Sequence, residues 1–381
     1  MRCSGISVAS GEQIEISFDN SIEAVERVLA EFADPPFVAP GWIDLQVNGF
    51  AGVDYNSPEA SHEDIARSLR ALHATGVTRL FATVITGPKD RIAASLRNLA
   101  EARESFPEGE SIEGIHLEGP YISPEDGPRG AHPRRWVRPP DLDEFERYQD
   151  SARGLIKLVT LAPEWPEAPH FIETLAGRGI VVSIGHTAAS SDQIAAAVSA
   201  GATMSTHLGN AAHSALPRRS NYIWAQLAQD RLAAGFIVDG IHLDNEFLRV
   251  ALRAKGIERS VLVTDAVAPA GCAPGRYRLG EVEVELTAND RVLLLDHSRL
   301  AGSVLRMDRG IENLMRLAGL SLREAVTMAT RNPARAGRIA GRRKGLVPGE
   351  RADIVQFRLD DSTTSIRIEA VYLGGRKVYS A

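Results

Sequence analysis

The sequence predicts an α/β protein: a (β/α)₈ barrel with a small β-sandwich domain built from both chain ends. Three observations carry this. Short, mostly apolar runs recur eight times along the chain, as expected of parallel strands buried on both faces. Segments with helical spacing and helix caps separate them, which is the βα rhythm of a parallel sheet. Both chain ends instead show short alternating stretches with Gly and Pro turns. Eight βα units need about 250 residues, which 381 accommodates with an accessory piece to spare. A doubly wound open sheet is the alternative, but the Gly-rich phosphate loop expected after its first strand is absent.

In chain order, residues 1–39 include the alternating Gln13–Phe18 and belong to the small domain. The barrel spans 40–344. Its strands are expected at Trp42–Val47, Val77–Thr83, Ile112–Leu117, Leu155–Leu161, Ile180–Ile184, Met204–Leu208, Ala234–Val238 and Ser260–Thr264. Ser61, with Asp64 three residues on, is placed to cap a helix over Ser61–Thr75. Ser190 or Ser191 caps another over Ser191–Ala200, which Gly201 ends. Residues 280–296 alternate without a helix signal and are expected to form a β insertion after the last barrel strand. Residues 345–381 return to short strands and complete the small domain.

Composition narrows the function. With 44% hydrophobic and 24% charged residues, the chain is neither a disordered chain nor a coiled coil. The excess of 49 acidic over 43 basic residues removes the bulk positive field that nucleic-acid binding uses. No uninterrupted apolar stretch is long enough to span a membrane. Cys3 and Cys272 are the only cysteines, too few for a disulfide framework, and the first residues do not read as a signal peptide. A cytoplasmic protein is expected.

In a barrel of this kind, residues just past the C-terminal strand ends line the active site. Five of these ends carry ionisable groups: His116 and Glu118, His186, His207, Asp239 with His242, and Asp265. Glu118, His186 and His207 form a candidate metal triad. One carboxylate and two imidazoles suit Zn²⁺, and Fe²⁺, Mn²⁺ and Co²⁺ also accept the set. Asp265 is the candidate general base across the barrel; helix capping is the bland alternative for it. His116, two residues before Glu118, points inward from the same strand and is read as structural support.

The motifs carrying these residues resemble a family. Gly114-Ile-His-Leu-Glu-Gly-Pro-Tyr-Ile-Ser123, followed by Gly130-Ala-His-Pro133, is similar to the N-acetylglucosamine-6-phosphate deacetylases of the amidohydrolase superfamily. So are Pro40–Gly49, Val159–Glu164, Gly185-His-Thr187, Thr206-His-Leu208, Asp239-Gly-Ile-His242, Val263-Thr-Asp-Ala266 and Leu300-Ala-Gly-Ser303, in consistent order. The resemblance implies a metal-dependent hydrolase that removes the acetyl group of N-acetylglucosamine 6-phosphate. It places Glu118, His186 and His207 on the ligands of one divalent ion. Asp265 falls on the acid/base that deprotonates water and protonates the leaving amine, and His132 on a residue that polarises the acetyl carbonyl. Ala131, Asn210, Ala211, Asp239, His242, Leu300, Ala301 and Gly302 fall on substrate-contacting positions, and Arg218 on the phosphate-binding position.

Gln46 and Asn48 stand where many amidohydrolases carry His-x-His for a second metal. Neutral amides are poor Zn²⁺ ligands, so hydrogen bonding at the barrel mouth is the preferred reading. In the run from His207 to Trp224, Asn210 and Ala211 keep the family pattern and Arg218 falls at the phosphate position, but the rest departs from it. Arg218 and Arg219 fit a phosphate grip, and equally an exposed basic pair at a turn. Two other readings stay open: deacylation of an unphosphorylated or different N-acyl substrate, and a non-catalytic amino-sugar-binding barrel. The family's members often dimerise with an Arg reaching the neighbouring site, so a homodimer is expected.

Overall fold

The protein was analysed as a computed structural model that describes residues 1–28, 34–360 and 362–381. Eight parallel strands form one sheet: Trp42–Val47, Val77–Ile85, Ile112–Glu118, Ile156–Leu161, Val181–Ile184, Met204–Ser205, Ala233–Ile237 and Ser260–Val263. Each pairs with the next. A parallel bridge between Val47 and Ala266 joins the last to the first, and the Asp265 N–H donates to the Gln46 carbonyl at 3.0 Å. The sheet is therefore a closed barrel.

The apolar runs have a simple cause. Ile43, Leu45, Phe81, Leu158, Val181 and Val263 fill the barrel interior. Their strand neighbours, such as Trp42, Leu80, Ala82 and Val84, pack outward against the helices. Both faces are dry, so strand residues are apolar whichever way they point. The sixth strand ends at Ser205, three residues short of the expectation, because the backbone turns left-handed at His207 (φ 28°).

The caps behave as the sequence proposes. Ser61 accepts from the Asp64 N–H at 3.1 Å and starts helix His62–His73. Ser190 and Gln193 form a reciprocal capping box on helix Ser191–Ala200, and Gly201 ends it at φ 119°.

Seven strands from the two chain ends form a second sheet. In spatial order they are Arg376–Ser380, Ser365–Leu373, Ile354–Asp360, Phe37–Pro40, Arg2–Ser7, Gln13–Phe18 and Ile22–Arg27. Phe18 and Tyr372 stack edge to face at 5.2 Å although three strands separate theirs in that order. The sheet thus folds over on itself as a sandwich around Ile14, Ile16, Phe18, Ile354 and Tyr372. Its other face, through Val355, Phe357 and Val371, packs on the barrel.

At this junction Asp353 is fully buried. It accepts from Arg79 at 2.8 and 3.2 Å, from Arg342 at 2.6 Å and from the Gly374 N–H at 2.7 Å. The insertion is a three-stranded antiparallel sheet, Gly275–Leu279, Val282–Leu286 and Val292–Leu294, starting five residues earlier than expected. It sits over the barrel mouth, where Val267 and Ala301 join its core.

Candidate active site

The site forms because several strand ends turn left-handed at a residue that lines one cavity. His186 (φ 51°), His207 (φ 28°) and Asp265 (φ 52°) all leave their strands this way, and Ala211 follows at φ 47°. Non-glycine residues in this region cost about 1–3 kcal/mol each, and they collect where geometry serves function. Gly119 (φ 79°) turns the chain after Glu118, where a Cβ would lie 2.2 Å from the Thr86 hydroxyl. Only glycine passes there.

Glu118 Oε1 lies 3.1 Å from His186 Nε2 and 3.0 Å from His207 Nε2, and the two Nε2 atoms are 3.1 Å apart. Adjacent ligand atoms around a tetrahedral ion at about 2.0–2.1 Å are about 3.3 Å apart, so the triangle fits one. The tautomers fit as well. His186 Nδ1 meets the Pro128 carbonyl at 3.0 Å. A carbonyl only accepts, so Nδ1 carries the proton, and a neutral His186 presents its Nε2 lone pair to the centre. Lone pairs of His186 and Glu118 then face each other with no hydrogen between them, an arrangement that calls for a cation.

Gln46 Nε2 stands between the two carboxylates, 2.9 Å from Glu118 Oε1 and 3.0 Å from Asp265 Oδ1. Asn48 Nδ2 donates to the same Asp265 oxygen at 2.7 Å. Gln46 and Asn48 are thus hydrogen-bonding groups at the barrel mouth. Burial, and then the nearby Glu118 charge, push the Asp265 carboxyl up to about 7. No helix starts where the eighth strand ends, so Asp265 caps none. His116 lies beneath the triad and bonds Thr160 at 2.7 Å; Thr160 in turn bonds Thr206 at 2.6 Å.

A cavity of about 690 Å³ opens over these groups. Ala131, His132, Asn210, Ala211, His242, Leu300, Ala301 and Gly302 line it with the triad and Asp265. His132 Nδ1 lies 2.8 Å from the Thr86 hydroxyl, and burial drives its pKa down to about 3, so the ring is neutral. Asp239 is absent from the cavity wall and acts one step back. One of its oxygens lies 2.6 Å from His242 Nδ1 and the other accepts the backbone N–H of Ile241 and His242. Arg218 is not brought to the cavity. It is exposed and lines an adjoining groove with Pro217, Trp224 and Phe247, on a loop that leaves the cavity wall after Ala215.

Sequence reasoning missed three side chains. Thr86 follows the second barrel strand at its C-terminal end, but a search for ionisable groups passes over a hydroxyl. Arg299, on the cavity wall, donates to the Gly130 carbonyl at 2.8 Å and ties the insertion to the loop bearing His132. His213, also on the wall, pairs with Glu125 at 3.3 Å across the mouth. Neither position is implied by strand-end spacing.

The model of the amidohydrolase family matches residues 37–378. The chain is 34% identical over 353 residues to N-acetylglucosamine-6-phosphate deacetylase of Bacillus subtilis, covering 92% of this chain and 87% of that one. It is 36% identical over 358 residues to the Homo sapiens protein of that name, covering 90% and 84%. The solved N-acetyl-D-glucosamine-6-phosphate deacetylase of Mycobacterium smegmatis superposes with a TM-score of 0.88 at 31% identity, over all of both chains. The chain belongs to the amidohydrolase family and, within it, to the N-acetylglucosamine-6-phosphate deacetylases.

Proposed function

We propose that the protein hydrolyses N-acetylglucosamine 6-phosphate to glucosamine 6-phosphate and acetate. One divalent ion, Zn²⁺ in our reading, is held by Glu118, His186 and His207. The observation that carries this is the carboxylate–imidazole triangle sharing one cavity with a second, weakly acidic carboxyl, Asp265. Such an ion supplies Lewis acidity, polarising a carbonyl and acidifying water toward a pKa of about 7.

The protein's own groups do the rest. Gln46 and Asn48 both donate to Asp265 Oδ1, leaving Oδ2 as the oxygen that exchanges a proton. With a pKa near 7, Asp265 takes a proton from the attacking water and returns it to the departing amine. His132 is neutral, and when Thr86 donates to its Nδ1 the ring proton sits on Nε2. That N–H polarises the acetyl carbonyl and stabilises the oxyanion. Asp239 orients His242 toward the sugar, and Asn210, Ala211 and the Leu300–Gly302 turn shape the remaining wall.

The exposed Arg218 serves the phosphate of a neighbouring copy in a homodimer. Arg218→Ala then raises KM for the phosphorylated sugar about tenfold or more and leaves the plain sugar unchanged. Two cysteines, both free, support a cytoplasmic setting; among the described residues no helix is long and apolar enough to cross a membrane.

The test is acetate release by metal-replete protein from N-acetylglucosamine with and without 6-phosphate. The expected kcat/KM advantage of the phosphate is about ten- to a hundredfold. Equal values would defeat the 6-phosphate assignment and leave a metal-dependent deacylase.

A further inference from the structure

Another cavity, of about 370 Å³ and open to solvent, lies between the terminal sheet and the barrel. Pro40, on its wall, sits just before the first barrel strand. Arg331, also on the wall, precedes Asn332, whose amide donates to the Ile257 and Ser260 carbonyls at the start of the eighth strand. The cavity is therefore at the N-terminal ends of the barrel strands. Glu118, His207 and Asp265 are at the opposite ends.

Its chemistry runs against that of the whole chain. The protein carries a net charge of −6, yet Arg27, Arg323, Arg331 and Lys344 line this space against one carboxylate, Glu12. Glu12 is taken by Arg27 at 3.2 Å. Glu350 lies close by, but its contact there is with the Lys344 backbone N–H, at 3.3 Å. Among the described residues no carboxylate pairs with the side chains of Arg323, Arg331 or Lys344. The Nε of Arg331 is also buried with no hydrogen-bond partner. A buried donor left without a hydrogen bond is costly, most of all on a charged group. Converging cations with an unused buried donor become favourable when an anion joins them.

The rest of the wall limits what that anion is. Ile14, Val25 and Val326 supply apolar surface, and Ser10 and Thr327 supply hydroxyls. The volume falls within the range of small-molecule sites, about 300–1,000 Å³, and exceeds what a bare phosphate fills. Guanidinium groups match phosphate in geometry and charge.

We propose that this cavity binds a small organic phosphate, its phosphate on Arg323, Arg331 and Lys344 and its body against Ile14, Val25 and Val326. The ligand bridges the terminal sheet and helix Leu322–Ala329, so binding stabilises their docking.

AMP is the probe, with adenosine and inorganic phosphate as its two halves. Calorimetric titration of the full chain is expected to give an AMP site with Kd below about 1 mM, with either half at least about tenfold weaker. AMP should also raise Tm. The comparison protein carries Arg323→Glu and Lys344→Glu, both at exposed side chains, so the core is untouched. In it AMP binding should weaken by at least about tenfold and the Tm shift should vanish. Acetate release without AMP should match the parent. Absence of AMP binding at about 10 mM overturns the proposal, as does binding that survives both substitutions. Inorganic phosphate binding as tightly as AMP overturns the organic body.

Discussion

The barrel holds a buried ionic cluster at each end, and the two are built on opposite terms. At the N-terminal end, Asp353 sits among Arg79, Arg342 and the Gly374 N–H, with both of its oxygens engaged. At the C-terminal end, Glu118 and Asp265 share one amide donor, imidazole lone pairs converge, and His207 Nδ1 and Asn48 Oδ1 have no partner among the described residues. The first cluster is saturated and fixes the barrel to the terminal sheet. The second is left incomplete, on left-handed strand ends, and has room for an ion, water and substrate. Saturation separates a structural cluster from a functional one better than burial does, since Asp353 and Glu118 are both buried.

The contrast breaks most sharply at the triad. His186→Ala or His207→Ala should strip the metal and abolish acetate release while circular dichroism stays native; a full metal equivalent in both variants would refute the ligand set. Asp265→Asn should keep the metal and lower kcat by about 10²–10⁴, measured as turnover at saturating substrate. At the other end, Asp353→Ala should leave kcat per folded molecule near that of the parent. It should lower unfolding stability by about 3–5 kcal/mol in denaturant titrations, because the buried Arg342 loses its counter-charge and Arg79 is left with only Glu110 and Glu113.

The smallest effect is a difference in pH slope. Burial would raise the Asp353 carboxyl, but Arg342 and Arg79 outweigh it and hold it well below its ordinary value. Its stabilisation is therefore present above the unfolded pKa of about 3.9 and lost in acid. Asp265 is raised from 3.8 to about 7, so the folded chain keeps a proton that the unfolded chain has released. Its contribution is full below about pH 4 and lost as pH rises through about 7. In metal-free protein, Asp265→Asn should be more stable than the parent at pH 8, by about 1–2 kcal/mol, with the gap closing at about pH 4–5. An unchanged gap across that range would show that Asp265 does not titrate near neutrality.

What was legible followed from local rules. A strand buried on both faces must be apolar, so all eight barrel strands stand out, and the active-site rule then selects their ends. That found Glu118, His186, His207, His242 and Asp265 without knowledge of any distance. Where position depends on packing between distant segments, the sequence is silent. Arg299 reaches the cavity because the insertion folds back over the mouth. Arg218 misses it because the loop leaves the cavity wall after Ala215. Asp353 looks like any acidic residue in a turn until the terminal sheet docks on Arg79.

Gln46 has a wider consequence. With a neutral amide between the carboxylates, the single dication proposed above would balance Glu118 and an ionised Asp265 and leave the reacting end of the cavity close to electroneutral. A second dication there would leave a surplus of two positive charges. The doubly charged phosphate of the sugar would then be drawn to the catalytic end, and the substrate would bind backwards. On the one-metal reading proposed above, the amide would work as a polarity filter: with the catalytic end near neutral, the uncharged acetamide is the group that belongs there.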